Sequence, residues 1–174
     1  MNSRLLRVAL ALGVIAAVVP ALFLTAPRAE AQAVTAQLLA QYLNRTGANW
    51  KLDEKDPNVF RITKTTGLKK AERVQIVVTN IPDKYLVTLR AFPKTGGKFL
   101  SLAAAQDQAG LMKAMLKNNA TAFGAYIVDD DGDIGFRYVF TTEPGLGYEA
   151  FKVAVNELLR IADDVMVSLY NSYR

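Results

Sequence analysis

Histidine and cysteine are both missing from this chain of 174 residues. Without imidazole or thiolate there is no Ser-His or Cys-His nucleophile, no ordinary zinc site and no side chain that titrates by itself near neutrality. Serine is scarce too: beyond the N-terminal segment only Ser101, Ser168 and Ser172 occur, and none begins a Ser-x-x-Lys arrangement. Most hydrolase chemistry is excluded on these grounds, and no cofactor is implied.

The N-terminus carries the first positive signal. Arg4 and Arg7 precede an uncharged stretch from Val8 to Ala26, and two overlapping small-x-small sites follow, Ala29 to Ala31 and Ala31 to Ala33. This pattern predicts a signal peptide over residues 1–31, cleaved after Ala31 or Ala33, and therefore an exported protein, periplasmic or extracellular. The alternative is a membrane-anchored structural protein held by an uncleaved segment, since about 18 apolar residues just span a bilayer. Pro20 and the many alanines make that a poor span. Losing residues 1–31 removes Arg4, Arg7, Arg28 and Glu30, so the net charge of +5 falls to +3, too little to mark a nucleic-acid partner. A membrane partner is expected only if the segment stays uncleaved. The remainder, 34–174, suits a single domain able to bury a core without disulfide staples.

Hydrophobic spacing then sets out the elements. Thr35 can cap a short helix with Leu38, Leu39, Tyr42 and Leu43 on one face and Gly47 at its stop. From Trp50 the period becomes two, through Val59, Phe60 and Ile62, then Val74 to Val78, then Tyr85 to Ala91, predicting three or four antiparallel strands. Gly96 and Gly97 mark the exit of the sheet. A middle helix is predicted over Leu102 to Asn118, weakened by Gly110, and a hairpin about the turn Asp129, Asp130, Asp131, Gly132, Asp133. The closing helix spans about Tyr148 to Tyr170, with Phe151, Val155, Leu158, Ala162, Val165 and Leu169 in line. The expected fold is α+β: N-terminal helix, antiparallel sheet of about five strands, middle helix, β-hairpin, long C-terminal helix.

Each candidate site has a plain structural reading beside it. With Gly132 at the sixth position of an EF-hand loop, Ile127 and Tyr138 occupy the first and twelfth, so two oxygen ligands are missing and no metal site is expected. Lys64, Lys69, Lys70 and Arg73 form a loose basic stretch read as a solvated strand connection. Asp53, Glu54, Asp56, Glu143 and Glu149 are the raw material for a carboxylate-dependent envelope hydrolase, the alternative function. Trp50, Tyr42, Tyr126, Tyr138 and Tyr148 read as core aromatics.

The order of elements, and above all the segment LKNNATAFGAYIVDDDGDIGFRYVF from Leu116 to Phe140, resembles the YbjN family, labelled bacterial sensory transduction regulators. In that family an amphipathic helix ends at asparagines and leads into a strand, an acidic Asp-Gly turn and a second alternating strand. The resemblance implies a fold similar to type III secretion chaperones, which bind protein segments and commonly dimerise, and it brings no catalytic residues. The reading is therefore a non-enzymatic protein-binding module, chaperone-like or adaptor, with a protein partner or self-association as a homodimer. Leu111, Met112, Met115, Leu159 and Met166 are the apolar residues expected to stay open for that partner.

Overall fold

The computed structural model describes residues 34–119, 124–142 and 145–174, all within the unit Ala31–Arg174. The expected signal peptide, both cleavage positions and Glu143 lie outside the described residues. No helix among the described residues is long and apolar enough to cross a membrane.

Helix α1 (Ala36–Arg45) begins where the Thr35 hydroxyl accepts a hydrogen bond from the Leu38 N–H at 3.1 Å. It gives way to Gly47 in the left-handed region, at φ +67°. Seven strands follow: β1 (Trp50–Leu52), β2 (Val59–Lys64), β3 (Arg73–Ile81), β4 (Leu86–Thr95), β5 (Lys98–Phe99), β6 (Ala125–Val128) and β7 (Ile134–Thr141). They form one antiparallel sheet in the order β1-β2-β3-β4-β7-β6, with β5 paired to the end of β4. Helix α2 (Gln108–Asn119) separates β5 from β6 in the chain. Helix α3 (Tyr148–Arg160) passes through a π-helical turn, Ile161–Met166, into α4 (Val167–Asn171).

Alternation along the strands splits their side chains between two faces. Phe60 and Ile62, Val74, Ile76 and Val78, Val87, Leu89 and Ala91, and Ile134 and Phe136 are buried in one cluster with residues from every helix, among them Leu39, Leu111, Phe151, Leu158 and Met166. This is the covered face. Four of the aromatics read as core pack there: Trp50 meets Phe60, Tyr126 meets Phe136, Tyr138 meets Phe140, and Tyr42 lies against Phe151, whereas Tyr148 stands half-buried outside that cluster with Arg45 over its ring.

The α+β order matches the expectation, with local differences. Strands β1 and β5 have three and two residues, too short to show a period in the sequence. Gly96 and Gly97, at φ +60° and +75°, do not end the sheet but turn the chain back into β5. The middle helix starts later than Leu102, because Leu102–Ala104 forms only a 3₁₀ turn and Asp107 caps the helix proper, accepting from the Gly110 N–H at 2.8 Å. That cap explains Gly110: a Cβ there would lie 2.1 Å from the Asp107 carboxylate.

Candidate functional site

The five residues expected to form an open apolar surface do not assemble. Leu111, Met115 and Met166 are fully buried, Leu159 is partly buried against the core, and only Met112 is well exposed. The cause is geometric. Leu111 and Met115 stand four apart on the face of α2 that turns inward, whereas Met112 and Leu116 occupy its outward side.

The acidic turn joins β6 to β7 as a hairpin, held from within by Asp129, whose Oδ1 accepts from the N–H groups of Asp131 (3.1 Å) and Asp133 (2.9 Å). Burial, and then repulsion from Asp129 and Asp131, raises the Asp133 carboxyl above its ordinary value, with Lys94 opposing. A raised folded value means that the protonated form suits the fold, so stability is lost as pH rises through it. Asp133→Asn is expected to raise the melting temperature at pH 7, with the gain vanishing below the unfolded value of 3.8. Thermal melts of both proteins across that range check it.

Among the described hydrolase carboxylates, Asp53, Asp56 and Glu149 are engaged in local structure. Asp53 and Glu54 border an open groove of about 490 Å³. Asp53, however, binds Arg61 at 2.6 Å and accepts from the Lys55 N–H at 3.0 Å. The Lys55 N–H first and Arg61 second lower its pKa, the reverse of what a proton donor needs. Asp56 accepts from the Asn58 N–H, and Glu149 pairs with Lys152 on the first turn of α3.

The basic stretch is likewise anchored. Lys70 and Lys69 reach Asp164 at 2.6 and 3.8 Å. Beneath them the buried Asp163 carboxylate accepts hydrogen bonds from the N–H groups of Lys69 (2.6 Å), Lys70 (2.9 Å) and Ala71 (2.8 Å). The connection between β2 and β3 is thereby fastened to the π-helical turn.

What remains is the other face of the sheet. Its positions alternate with the core set: Arg61 and Thr63 on β2, Arg73, Gln75, Val77 and Thr79 on β3, Thr88, Arg90, Phe92 and Lys94 on β4, Arg137 and Val139 on β7. None of these belongs to the core cluster that holds the helices, and Arg61, Thr63, Arg137 and Val139 are exposed. The groove beside Asp53 opens onto this outer face, since Lys51, Arg61, Thr63, Arg73 and Gln75 line it. Sequence reasoning missed Arg61, Arg90 and Arg137, although one signal was available. The seven strands hold eight cations (Lys51, Arg61, Lys64, Arg73, Arg90, Lys94, Lys98 and Arg137) and no Asp or Glu, so the sheet cannot neutralise itself.

At the β6 edge of the sheet one strand-pairing position is already taken. The Asn119 amide at the end of α2 accepts from the Tyr126 N–H at 2.6 Å and donates to the Tyr126 carbonyl at 3.5 Å, filling positions that an added strand would use. The asparagine that ends the helix therefore guards β6.

The antiparallel sheet with its helices gathered on one side is a YbjN-like α+β fold. Among the solved structures that share it are two. One, ExsC in its complex with ExsE, matches with a TM-score of 0.57 and 16% identity over 78% of this chain and 92% of that one. The other, YbjN, a proposed transcription regulator from E. coli, matches with a TM-score of 0.52 and 15% identity over 81% of this chain and 94% of that one. No family model matches the sequence, and no curated protein does.

Proposed function

We propose that the chain is an exported, non-enzymatic protein-binding module of the cell envelope, chaperone-like or adaptor in role, that holds its partner on the outer face of the sheet. The observation that carries this reading is the one-sided placement of the helices, which leaves a broad strand surface outside the core. ExsC, which shares the fold, was crystallised bound to another protein. The charged start, apolar run and paired small residues of the N-terminus support export to the periplasm or beyond.

Because the chain lacks cysteine, a single introduced thiol can carry a photocrosslinker without ambiguity. Purified Val139→Cys, labelled and returned to an envelope extract of the native host, is expected to trap a protein adduct from the outer face, a second copy of the chain included. Val153→Cys, exposed on α3, serves as the control and is expected to trap none. No adduct from Val139→Cys contradicts the reading. Intact mass of the recovered protein tests export, with a mature chain beginning at Gln32 or Val34 expected. A chain that retains Met1 and fractionates with membranes would establish the anchored alternative.

A further inference from the structure

We infer that the partner segment held on the outer face is acidic, and that Arg90 and Arg137 are its principal contacts. The inference rests on the protein-binding reading of that face and adds the chemistry of the partner. Its basis is the strand register. Lys51 lies directly opposite Arg61, Arg73 opposite Lys94, and Arg90 opposite Arg137. All three pairs are cation against cation and all stand on the outer face. Like charges directly opposite one another weaken a sheet, and opposed strands ordinarily place unlike charges there.

Two of the pairs are relieved from nearby loops. Arg61 binds Asp53, and Lys94 feels the carboxylate of Asp133. Arg90 and Arg137 make no ion pair with any described residue, and the Arg90 Nε is buried without a hydrogen-bond partner. Two guanidinium groups on Cα atoms about 5 Å apart thus share one site that no described carboxylate neutralises. Lys51, Arg61, Arg90 and Arg137 further fall in one row across the strands, with Val77 at the β3 position between Arg61 and Arg90. An extended or helical segment laid across the strands would meet this row with its carboxylates, each able to take a guanidinium fork through two parallel hydrogen bonds.

The surface fits other polyanions less well. Phe92 is the one aromatic among the outer-face positions of β2, β3, β4 and β7, and it is buried against Phe99, so no ring is offered for stacking nucleobases. Val139 is the one exposed large apolar side chain at those positions, which is little for insertion beneath lipid headgroups.

The test is a binding titration of the chain, as recovered from its host, with fluorescently labelled poly-glutamate at low salt. Poly-glutamine, phosphatidylglycerol vesicles and single-stranded DNA are run beside it. Saturable binding to poly-glutamate is expected, weakened about tenfold or more by Arg137→Glu, weakened less by Arg137→Lys, which keeps the charge but not the fork, and unchanged in Lys64→Glu. Arg137 is exposed, so its reversal leaves the core intact, and circular dichroism verifies the fold. Lys64 borders a separate cleft with Val155 and Leu159 on the helical side. Absence of poly-glutamate binding, equal binding of poly-glutamine, or equal loss from Lys64→Glu overturns the inference. So does Arg137-dependent binding of vesicles or DNA in place of the peptide. The two readings fail differently: a crosslink from Val139→Cys that persists in Arg137→Glu leaves a protein-binding module whose partner is not acidic, whereas the absence of any crosslink removes the module itself.

Discussion

Asp163→Ala is expected to cost the fold about 3–5 kcal/mol, the largest loss from any single polar substitution, because it strips the acceptor from three backbone N–H groups together. The buried carboxylate receives the N–H groups of Lys69, Lys70 and Ala71, and removing it leaves these donors facing a cavity. Burial alone would raise its pKa and is the largest single influence, but the donations from Ala71, Lys69 and Lys70 together outweigh it and hold the carboxyl below its usual 3.8. A lowered folded value means that the anion suits the fold. Its contribution is therefore complete above the unfolded value and is lost as pH falls from 3.8 through the folded value. Urea denaturation of wild type and Asp163→Asn should give midpoints that are well separated at pH 7 and converge on acidification below 3.8. A gap that does not change with pH would show that the carboxylate does not act through its charge.

Gly124→Ala should be the most damaging change of a single methyl group. A Cβ at this position would stand 2.3 Å from the Arg137 carbonyl oxygen and 2.8 Å from the Phe136 ring. The first obstacle is backbone in β7, which is paired on one side with β6 and on the other with β4, so it cannot withdraw without opening the ladder. Overpacking at such a site costs about 2–3 kcal/mol. Gly135→Ala meets only the Phe92 ring at 2.5 Å and the Ala91 carbonyl at 3.1 Å, and it should cost less because the nearest obstacle is a side chain that can swing aside. Denaturant melts of the two variants, compared with wild type, check the order.

Much of the fold is legible in the sequence because local signals and tertiary packing agree. Thr35 and Gly47 bound the first helix as their chemistry dictates, and the run Asp129 to Asp133 builds its hairpin through side chain to backbone bonds available within the turn itself. The C-terminal helix shows where that agreement ends. Its stripe Phe151, Val155, Leu158 and Ala162 is buried, but from the end of the π-helical turn onward the buried positions are Met166, Val167 and Tyr170, while Val165 and Leu169 are only half-buried. A π-turn rotates everything after it relative to a 3.6-residue period, and no proline or glycine in Ile161–Met166 announces it. Within the turn Asp163 faces inward, a residue that composition assigns to solvent. Met166, expected to stay open because the helix carries apolar residues on more than one line, lies in the core. The outer face escaped notice for another reason: Arg61, Arg90 and Arg137 lie in three separate strands, and their alignment exists only once the register is known.

Thiol reactivity tests most directly whether the outer face of the sheet is the free surface. Single cysteines replace Thr63 and Val139, both exposed on that face, and Ala91, fully buried on the covered one, in a chain with no thiol of its own. With the folded protein and a maleimide, Thr63→Cys and Val139→Cys are predicted to react at rates close to those measured in denaturant, while Ala91→Cys reacts only after unfolding. Protection of Thr63→Cys and Val139→Cys as strong as that of Ala91→Cys would mean that the face is covered in the free protein, and it would contradict its role as the binding surface.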